Sequence, residues 1–316
     1  MKRSKLLWSA AAVMAAMIGT TVGMGANAQA ADIGNKDKTI KLAMLEWTGQ
    51  HVSTHIAGQI LEKMGYKVEY VTAGNYPEFS GLADGSLDAS VEVWMNNVGD
   101  IFPKTLAAKQ IEDVGPLKLK TAEGWIYPKY MESICPGLPD WKALTQPACV
   151  QALSTPDTFP KGRLLDYPAD WGSRAAQIIQ DNNLPLASVP AGSEGALVAE
   201  LESAVAAKKP LVMMFWAPHY ALAEADVGWV TMPPCKTQDN AHCITPPDVD
   251  KIVRTGFDKD WPAAYAFLKS FTVDAAEQQK MMLRVDKKGE DLDAVTKDWI
   301  DHNESVWKPW VQAAQS

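Results

Sequence analysis

The stretch KTIKLAMLEWTGQHVSTHIAGQILEKMGY, residues Lys38–Tyr66, places one strand pattern directly before one helix pattern. Its first part, Lys38–Trp47, is an apolar run rich in strand-forming residues, and it breaks at Thr48-Gly49. Beyond the break, apolar residues recur at helical spacing until Gly65. These residues are Ile56, Ile60, Leu61 and Met64. A strand followed at once by a helix is the first half of a parallel β-α-β unit.

The same alternation continues after this unit. The segment KVEYVTA (67–73) alternates in polarity as a second strand would. The segment YPEFSGLADGSLDASVEVW (76–94) predicts a short helix, a turn at Asp84-Gly85 and a third strand that ends on Trp94. Strands that alternate with helices in this way predict a parallel sheet covered by helices.

After Gly124 the pattern begins again and finishes in helices. The later segments are a strand at 149–154 (CVQALS), helices at 171–183 and 194–210, a strand at 211–216 (LVMMFW), and helices at 257–271 and 291–314. The sequence therefore predicts an α/β fold of two lobes, each a mostly parallel sheet flanked by helices, with a cleft between the lobes. We expect lobe 1 to comprise residues 31–122 plus 234–316 and lobe 2 residues 123–233, with hinges near 118–126 and 228–234.

The first thirty residues are predicted to be a targeting segment. They begin with Lys2, Arg3 and Lys5, continue through apolar and small residues, and end in Ala28-Gln29-Ala30. This is the pattern of a secretory signal peptide, cleaved after Ala30, and it predicts export to the periplasm. A membrane anchor is the alternative, but the apolar core is short and is interrupted by glycine and threonine.

Charge and cysteine content narrow the class of protein further. The formal net charge is −8, and no basic patch with interleaved aromatic residues is visible, which argues against a nucleic-acid partner. Four cysteines in an exported chain suggest two disulfides, for which three pairings exist. Proximity along the chain favours Cys135–Cys149 together with Cys235–Cys243. Zinc binding is the alternative, although the chain has no C-x-x-C pair.

Four tryptophans lie where the chain breaks. Trp47, Trp94 and Trp216 end predicted strands, and Trp171 follows the turn in GRLLDYPADWG (162–172). In open parallel sheets, ligands bind beyond the carboxyl ends of the strands, so two indoles from each lobe could converge on one cleft. Indole faces attract cations, and a quaternary ammonium group has no hydrogen to donate to a carboxylate. These four positions therefore predict a cage for a methylated cation.

Packing in the core is the ordinary alternative for any single tryptophan. It is the interpretation that we prefer for the other tryptophans on helical or apolar segments. They are Trp229, Trp261, Trp299, Trp307 and Trp310, whereas Trp141 lies inside the predicted Cys135–Cys149 loop and is expected to pack on that loop.

At the cage positions the sequence resembles a known family. The segments VEVWMNNVGD (91–100), YPADWGSRAA (167–176) and MMFWAPHYAL (213–222) are similar, in order and spacing, to the tryptophan-bearing segments of periplasmic substrate-binding proteins of ATP-binding-cassette (ABC) importers for glycine betaine, choline and related osmolytes. The resemblance implies a two-lobed, type II-like periplasmic binding protein in which Trp94, Trp171 and Trp216 surround a trimethylammonium head. Trp47 is our candidate for a fourth wall. The resemblance further implies a monomer without a cofactor that delivers its ligand to a membrane permease.

The residues near the cage leave the polar end of the ligand open. Amides at the helix start after Trp171, together with Arg174 and His219, would suit the carboxylate of glycine betaine. Carboxylates near the cage, Glu46, Glu92 and Glu132, would instead favour choline or trimethylamine N-oxide. Glu132 is the preferred candidate to face the ligand, because ordinary ion pairing explains Glu46 and Glu92 equally well. The balance favours trimethylamine N-oxide or choline over glycine betaine.

Two metal sites are weaker possibilities. Asp239, Asn240 and Asp248, with Asp250 nearby, offer oxygen ligands of the kind that calcium takes, but without EF-hand spacing. His51 and His55 have a spacing that can bind zinc on a helix, although exposed polar positions explain them better.

Enzymatic activity finds little support in the sequence. No nucleophile elbow, P-loop, metalloprotease helix or dinucleotide fingerprint is present. The alternatives to transport are a sensory module for the same ligands and an exported choline-ester hydrolase, which has a cation cage but no nucleophile. We therefore expect a binding protein and not an enzyme.

Overall fold

The computed structural model describes residues 33–233, 235, 244 and 246–314. Its strands are β1 (Ile40–Met44), β2 (Val68–Thr72), β3 (Ala89–Trp94), β4 (Ile111–Pro116), β5 (Ala122–Pro128), β6 (Gly162–Asp166), β7 (Leu186–Pro190), β8 (Met213–Ala217), β9 (Val227–Trp229) and β10 (Val249–Arg254). Its α-helices are α1 (Thr48–Lys63), α2 (Pro77–Asp84), α3 (Ile101–Ala107), α4 (Met131–Ile134), α5 (Pro147–Leu153), α6 (Ala175–Asp181), α7 (Glu194–Ala207), α8 (Ala221–Glu224), α9 (Phe257–Asp260), α10 (Pro262–Ser270), α11 (Ala275–Met282), α12 (Leu292–His302) and α13 (Glu304–Ala314). In addition to these α-helices, which range from four residues upward, turns of 3₁₀ helix lie at Trp141–Thr145 and Ala169–Trp171, and a π-helical turn lies at Leu283–Lys287.

The strands form two five-stranded sheets. The first has the order β2-β1-β3-β10-β4 and the second the order β7-β6-β8-β5-β9. In each sheet one strand runs against the other four, β10 in the first and β5 in the second. β5 follows the first passage of the chain between the sheets, at 117–121. β10 follows the return passage, at 230–248. The prediction of a two-lobed α/β fold with mostly parallel sheets is confirmed.

The junction of β1 and α1 places the first predicted indole. The buried side chains of Ile40 and Leu42 fix one face of β1 in the core, and the helix begins directly after Trp47. Gln50 closes the turn, because its side chain accepts from the Leu45 amide at 3.0 Å and donates to the Ala43 carbonyl at 2.8 Å. Trp47 is therefore held on a short, internally bonded turn at the carboxyl end of β1.

The C-terminal helices return to the first lobe, as the sequence suggested. Gln278 of α11 donates to the Gly49 carbonyl of α1 at 2.9 Å. His55 lies 2.6 Å from an Asp293 carboxylate oxygen of α12. The expectation that His55 is an exposed helix position is wrong, because its ring is buried and stacks on Tyr70 at a centroid distance of 4.1 Å. Its burial lowers its pKa in spite of Asp293.

The predicted strand CVQALS is a helix. Pro147 occupies the first turn of α5, and Val150 and Leu153 lie on its buried side. A short apolar run suits a strand or a buried helix equally, and here the prolyl start and the disulfide decide for the helix. Cys149 pairs with Cys135 as predicted, with an S–S distance of 2.01 Å. Cys235 is also disulfide-bonded, and Cys243 lies outside the described residues.

The predicted signal peptide, residues 1–30, lies outside the described residues as well. Within the part of the chain that is described, no helix combines the length and the apolar character needed to span a membrane.

Candidate ligand-binding site

A cavity between the two sheets brings the four predicted indoles together. It spans about 320 Å³ of empty space, part of which is open to solvent, and it is lined by Trp47, Asn75, Trp94, Asn97, Tyr167, Trp171 and Trp216. The four tryptophans, which we call the tryptophan cage, are between 4% and 7% exposed. Indoles that are nearly buried yet line empty space present their surfaces to a small enclosed volume.

Neighbouring parallel strands deliver the cage residues. Trp47 follows β1 and Trp94 ends β3, and these strands pair in parallel, so both indoles reach the same edge of the first sheet. Trp216 lies near the end of β8, and Trp171 follows β6, its parallel neighbour in the second sheet. We call Trp47 and Trp94 the first half-cage. Trp171 and Trp216 with Tyr167 form the second half-cage.

The rings meet edge to face. Trp47 and Trp171, from opposite lobes, have centroids 5.3 Å apart at an interplanar angle of 60°. Trp171 and Trp216 are 5.5 Å apart at 73°, and Tyr167 and Trp216 are 5.6 Å apart at 76°. Aromatic pairs favour this arrangement, and rings at steep angles form adjoining walls of a box.

Carboxylates hold three of the four indoles by their N–H groups. Nε1 of Trp47 and Nε1 of Trp94 donate to the same oxygen of Glu92, at 3.0 and 3.1 Å. Nε1 of Trp171 donates across the cleft to Glu46 at 3.0 Å. Bonds at the N–H edge fix the orientation of each ring. Of the predicted carboxylates, Glu46 therefore lies at the exposed rim of the cage and Glu92 behind it.

Tyr167 supplies a polar atom that the sequence reasoning overlooked. Its side chain is buried against Trp171 and Trp216, and no hydrogen-bond partner lies within reach of its hydroxyl among the described residues. Burial, together with Glu123 and Asp166 nearby, raises the pKa of Tyr167 well above its usual range. The hydroxyl is therefore a protonated donor that lacks an acceptor.

Asn75 and Asn97 form the remaining polar wall. The Asn75 amide donates to the carbonyl of Asn97 at 3.2 Å and to the carbonyl of Trp171, in the other lobe, at 3.1 Å. These bonds tie the turn that carries Trp171 to the first lobe.

Glu123, in β5, lies beside the cage and was also overlooked. Its carboxylate accepts from the Asn97 amide at 3.4 Å and from the Asn96 amide, so it joins the second sheet to the first lobe. Burial raises its pKa to about 7, although the two amides and Arg174 oppose the shift. With Arg174 it lines a smaller cavity that shares Asn97 with the cage. The titratable carboxyl of Glu123 is thus close to the cavity, since it contacts Asn97, which lines that cavity.

A second contact between the lobes lies behind Trp216. Glu194, the first residue of α7, accepts from the amide and the hydroxyl of Thr48 at 2.9 and 3.1 Å. The same hydroxyl lies 2.7 Å from Asp286. Burial raises the pKa of Asp286 to about 6, and Glu194 adds to the shift. The lobes are therefore closed on one another at several points.

The comparisons with known proteins agree with this geometry. Residues 38–302 match the family described as the substrate binding domain of ABC-type glycine betaine transport systems. The chain belongs to this family. It is thus a substrate-binding protein of the ABC transporter class, as the tryptophan segments predicted.

Its relatives include binding proteins for several methylated ammonium compounds. The trimethylamine N-oxide-binding protein of Pelagibacter ubique is 31% identical over 312 residues, which cover 95% of this chain and 98% of that protein. The lactococcal OpuAC structure, closed with glycine betaine, is 21% identical with a TM-score of 0.73 and covers 87% of this chain and 100% of that one. A choline-binding protein in complex with choline is 18% identical with a TM-score of 0.74 and covers 87% and 91%. Because both identities are low, the two structures establish the fold of this chain and not its ligand.

Two predicted ligand contacts are not in the cage of this substrate-binding protein. Glu132 lies on the short helix α4 beyond the end of β5, where its exposed carboxylate accepts from the Tyr127 hydroxyl at 3.1 Å. His219 is fully buried behind Trp216, at a ring distance of 4.9 Å. Because Nδ1 of His219 accepts from an amide, its Nε2 donates to Glu194 at 3.1 Å. Both residues serve the framework and do not line the cavity.

The metal sites find no support in the described residues, among which no three histidine, cysteine or acidic side chains could hold an ion together. Asp239 and Asn240 lie outside them, and Asp248 is exposed. Nε2 of His51 lies 2.5 Å from the Leu45 carbonyl, which occupies a ring nitrogen that zinc would need.

Proposed function

We propose that the protein captures a small methylated-ammonium osmolyte, trimethylamine N-oxide or choline, and delivers it to an ABC permease. The observation that carries the proposal is the cavity walled by four indoles, two from each lobe. A trimethylammonium group carries its charge on methyl groups and has no N–H, so the aromatic faces are its natural partners. A cavity of this kind excludes water and favours a methylated cation over a hydrated metal or ammonium ion.

The polar end of the ligand is proposed to meet Tyr167. Its hydroxyl lacks an acceptor, and an N-oxide oxygen or a choline hydroxyl supplies one. The carboxylate of glycine betaine would approach both Glu123 and Arg174, and ionised Glu123 would offset the attraction of the guanidinium. The relative named as a trimethylamine N-oxide-binding protein supports trimethylamine N-oxide as the first choice.

Closure around the ligand is the proposed mechanism of capture. Neither half-cage encloses a cation alone, so a ligand that contacts both shifts the population toward the closed form. We propose lobe 1 as residues 31–122 plus 234–316 and lobe 2 as 123–233, exported as a monomer after cleavage at Ala30. The closed form is the one that a permease would recognise.

Calorimetric titration tests the proposal. The purified protein is titrated with trimethylamine N-oxide, choline, glycine betaine and dimethylsulfoniopropionate, beside Trp216→Ala and the control Trp141→Ala. Trp141 is half-buried within the loop that the Cys135–Cys149 disulfide closes, and it does not line the cavity. We expect tight binding of trimethylamine N-oxide or choline that is lost in Trp216→Ala and kept in Trp141→Ala. Binding no tighter than millimolar for every compound would overturn the proposed function.

A further inference from the structure

Glu92 lies behind the first half-cage and accepts a hydrogen bond from each of its two indoles. It is 1% exposed and accepts four hydrogen bonds, two on each oxygen. The donors are Nε1 of Trp47 at 3.0 Å and Nε1 of Trp94 at 3.1 Å on Oε1, and Oγ of Ser53 at 2.6 Å and Nε2 of Gln278 at 2.8 Å on Oε2. All four donors are neutral, so none of them cancels the negative charge.

We propose that Glu92 is a charged positioning residue that makes the cage select cations over neutral molecules of the same shape. The proposal rests on the proposed function, since it concerns the same cavity, and it adds the source of the selectivity. Glu92 does not line the cavity. It acts through Trp47 and Trp94.

Both oxygens of Glu92 face hydrogen-bond donors, which is the set of partners that an acceptor-only carboxylate takes. A carboxylate that accepts several hydrogen bonds is stabilised as the anion, which opposes the cost of burial. Each oxygen accepts two hydrogen bonds, and no neighbouring group requires Glu92 to act as a donor. The first lobe therefore carries a buried negative charge a single ring away from the cavity.

This charge strengthens the cage in two ways. The attraction of an indole face for a cation comes from electron density on the ring, and a carboxylate bound at the N–H edge pushes density toward that face. The carboxylate also attracts the ligand directly, and water-free surroundings screen this attraction weakly. A neutral ligand of equal shape gains from neither effect.

Glu92 also fixes the two indoles relative to one another. Both indole N–H groups donate to one oxygen of Glu92, so this oxygen fixes the position of the Trp47 ring relative to the Trp94 ring. Gln278 extends this arrangement to α11, because its amide donates to Glu92 and to the Gly49 carbonyl. Glu46 accepts from Trp171 in the same manner, but it is exposed, so water screens its charge.

The test compares choline with 3,3-dimethylbutan-1-ol, in which carbon replaces the charged nitrogen. Both are titrated into the wild type, Glu92→Gln, Glu46→Gln and Glu132→Gln. Ser53 and Gln278 can accept as well as donate, so an amide at position 92 keeps hydrogen-bond partners. We expect Glu92→Gln to weaken choline binding about tenfold and to change binding of the neutral alcohol by less than about twofold. Glu46→Gln should show a smaller loss of choline affinity, and Glu132→Gln none.

The outcomes separate the two proposals. Equal losses for choline and the neutral alcohol in Glu92→Gln would show a merely structural role and overturn the inference, as would no loss for either. A wild type that binds no methylated ammonium compound would overturn the proposed function, and the inference with it.

A measurement on the wild type covers the case in which Glu92→Gln does not fold. The indole N–H signals of Trp47 and Trp94, assigned with Trp47→Phe and Trp94→Phe, should lie downfield of those of the unfolded chain, because each donates to an anion. Signals at the unfolded positions would contradict a charged Glu92.

Discussion

The two half-cages reach the same cavity by different means. In the first, Trp47 and Trp94 are held from behind by Glu92, inside the core of their own lobe. In the second, Trp171 and Trp216 are held by ring contacts with one another and with Tyr167. The N–H of Trp171 finds its acceptor, Glu46, only on the opposite lobe.

This difference assigns the half-cages different roles. The polar network behind the first half-cage lies within one lobe and does not depend on closure, so we expect its indoles to keep their places when the lobes part. The second half-cage loses the bond from Trp171 to Glu46 and those from Asn75 and Thr48 when the lobes open. We infer that the first half-cage receives the ligand and the second completes the enclosure.

The largest expected effect is on the free energy of unfolding and concerns Glu78. This residue is a buried carboxyl that lacks the hydrogen-bond donors of Glu92. Glu78 is fully buried, and neither oxygen has a donor in hydrogen-bond geometry among the described residues, although the Ser90 hydroxyl is near enough to oppose the effect of burial on its pKa. Burial raises its pKa to about 8. Because the folded pKa lies above the unfolded one, the stability contributed by the proton is complete below about pH 4.5 and is lost as pH rises to 8, by roughly 4 kcal/mol.

Glu78→Gln removes this loss. Denaturant unfolding at pH 5, 7 and 9 should show the variant gaining on the wild type as pH rises, while the exposed control Glu69→Gln follows the wild type. A wild type and a Glu78→Gln variant with parallel pH profiles would contradict the assignment.

Removing an indole from each half tests the comparison directly. Trp94→Ala and Trp216→Ala should each weaken trimethylamine N-oxide binding about a hundredfold, through lost cation attraction and lost apolar contact. Only Trp94→Ala takes a donor from buried Glu92, so it should also lower the melting temperature of the ligand-free protein by more than Trp216→Ala does. Equal melting temperatures would break the distinction between the halves.

Proton uptake on closure is the next effect in size. Glu123 and Asp286 have raised pKa values, about 7 and about 6, in the closed form. Opening would return them to water and to lower values, so closure binds protons. Affinity for trimethylamine N-oxide should therefore fall as pH rises from 5 to 8, by at least about tenfold.

Calorimetry across this pH range, in buffers of different ionisation enthalpy, measures that uptake. Glu123→Gln should make the profile shallower and leave the part that Asp286 contributes. Choline should also show a shallower profile than trimethylamine N-oxide, since a cation offsets the charge of ionised Glu123. An affinity that is independent of pH would show that Glu123 is equally buried in the open form.

The smallest expected effect concerns the hydrogen bond from Trp171 to Glu46, which joins the two lobes. Glu46→Ala removes the acceptor of Trp171 at the exposed rim, and we expect a loss of about fivefold in affinity, expressed as faster dissociation. The melting temperature of the ligand-free protein should not change. Stopped-flow tryptophan fluorescence measures the rates, and an unchanged dissociation rate would remove Trp171 from the account of closure.

The sequence predicted the fold and the four indoles because both depend on local order along the chain. Strand and helix patterns alternate clearly in 38–94, and each cage tryptophan stands where a strand or turn ends. The segment CVQALS was misjudged because a short apolar run does not distinguish a strand from a buried helix.

The polar part of the site was not predictable in the same way. Asn75 and Asn97 of the first lobe meet Tyr167 and Glu123 of the second across the cleft, and no spacing in the sequence records that approach. Glu132 was preferred because ordinary ion pairing explained Glu46 and Glu92 equally well, yet α4 carries Glu132 past the end of β5. Glu92 shared the face of β3 with Trp94, which was a usable signal, because residues two apart on a strand point the same way.

A crystal structure of the protein with trimethylamine N-oxide bound would test the central claim most directly. We predict the three methyl groups in contact with Trp47, Trp94, Trp171 and Trp216, and the oxygen within hydrogen-bond distance of the Tyr167 hydroxyl. A ligand whose methylated head lies outside these four indoles would contradict the account.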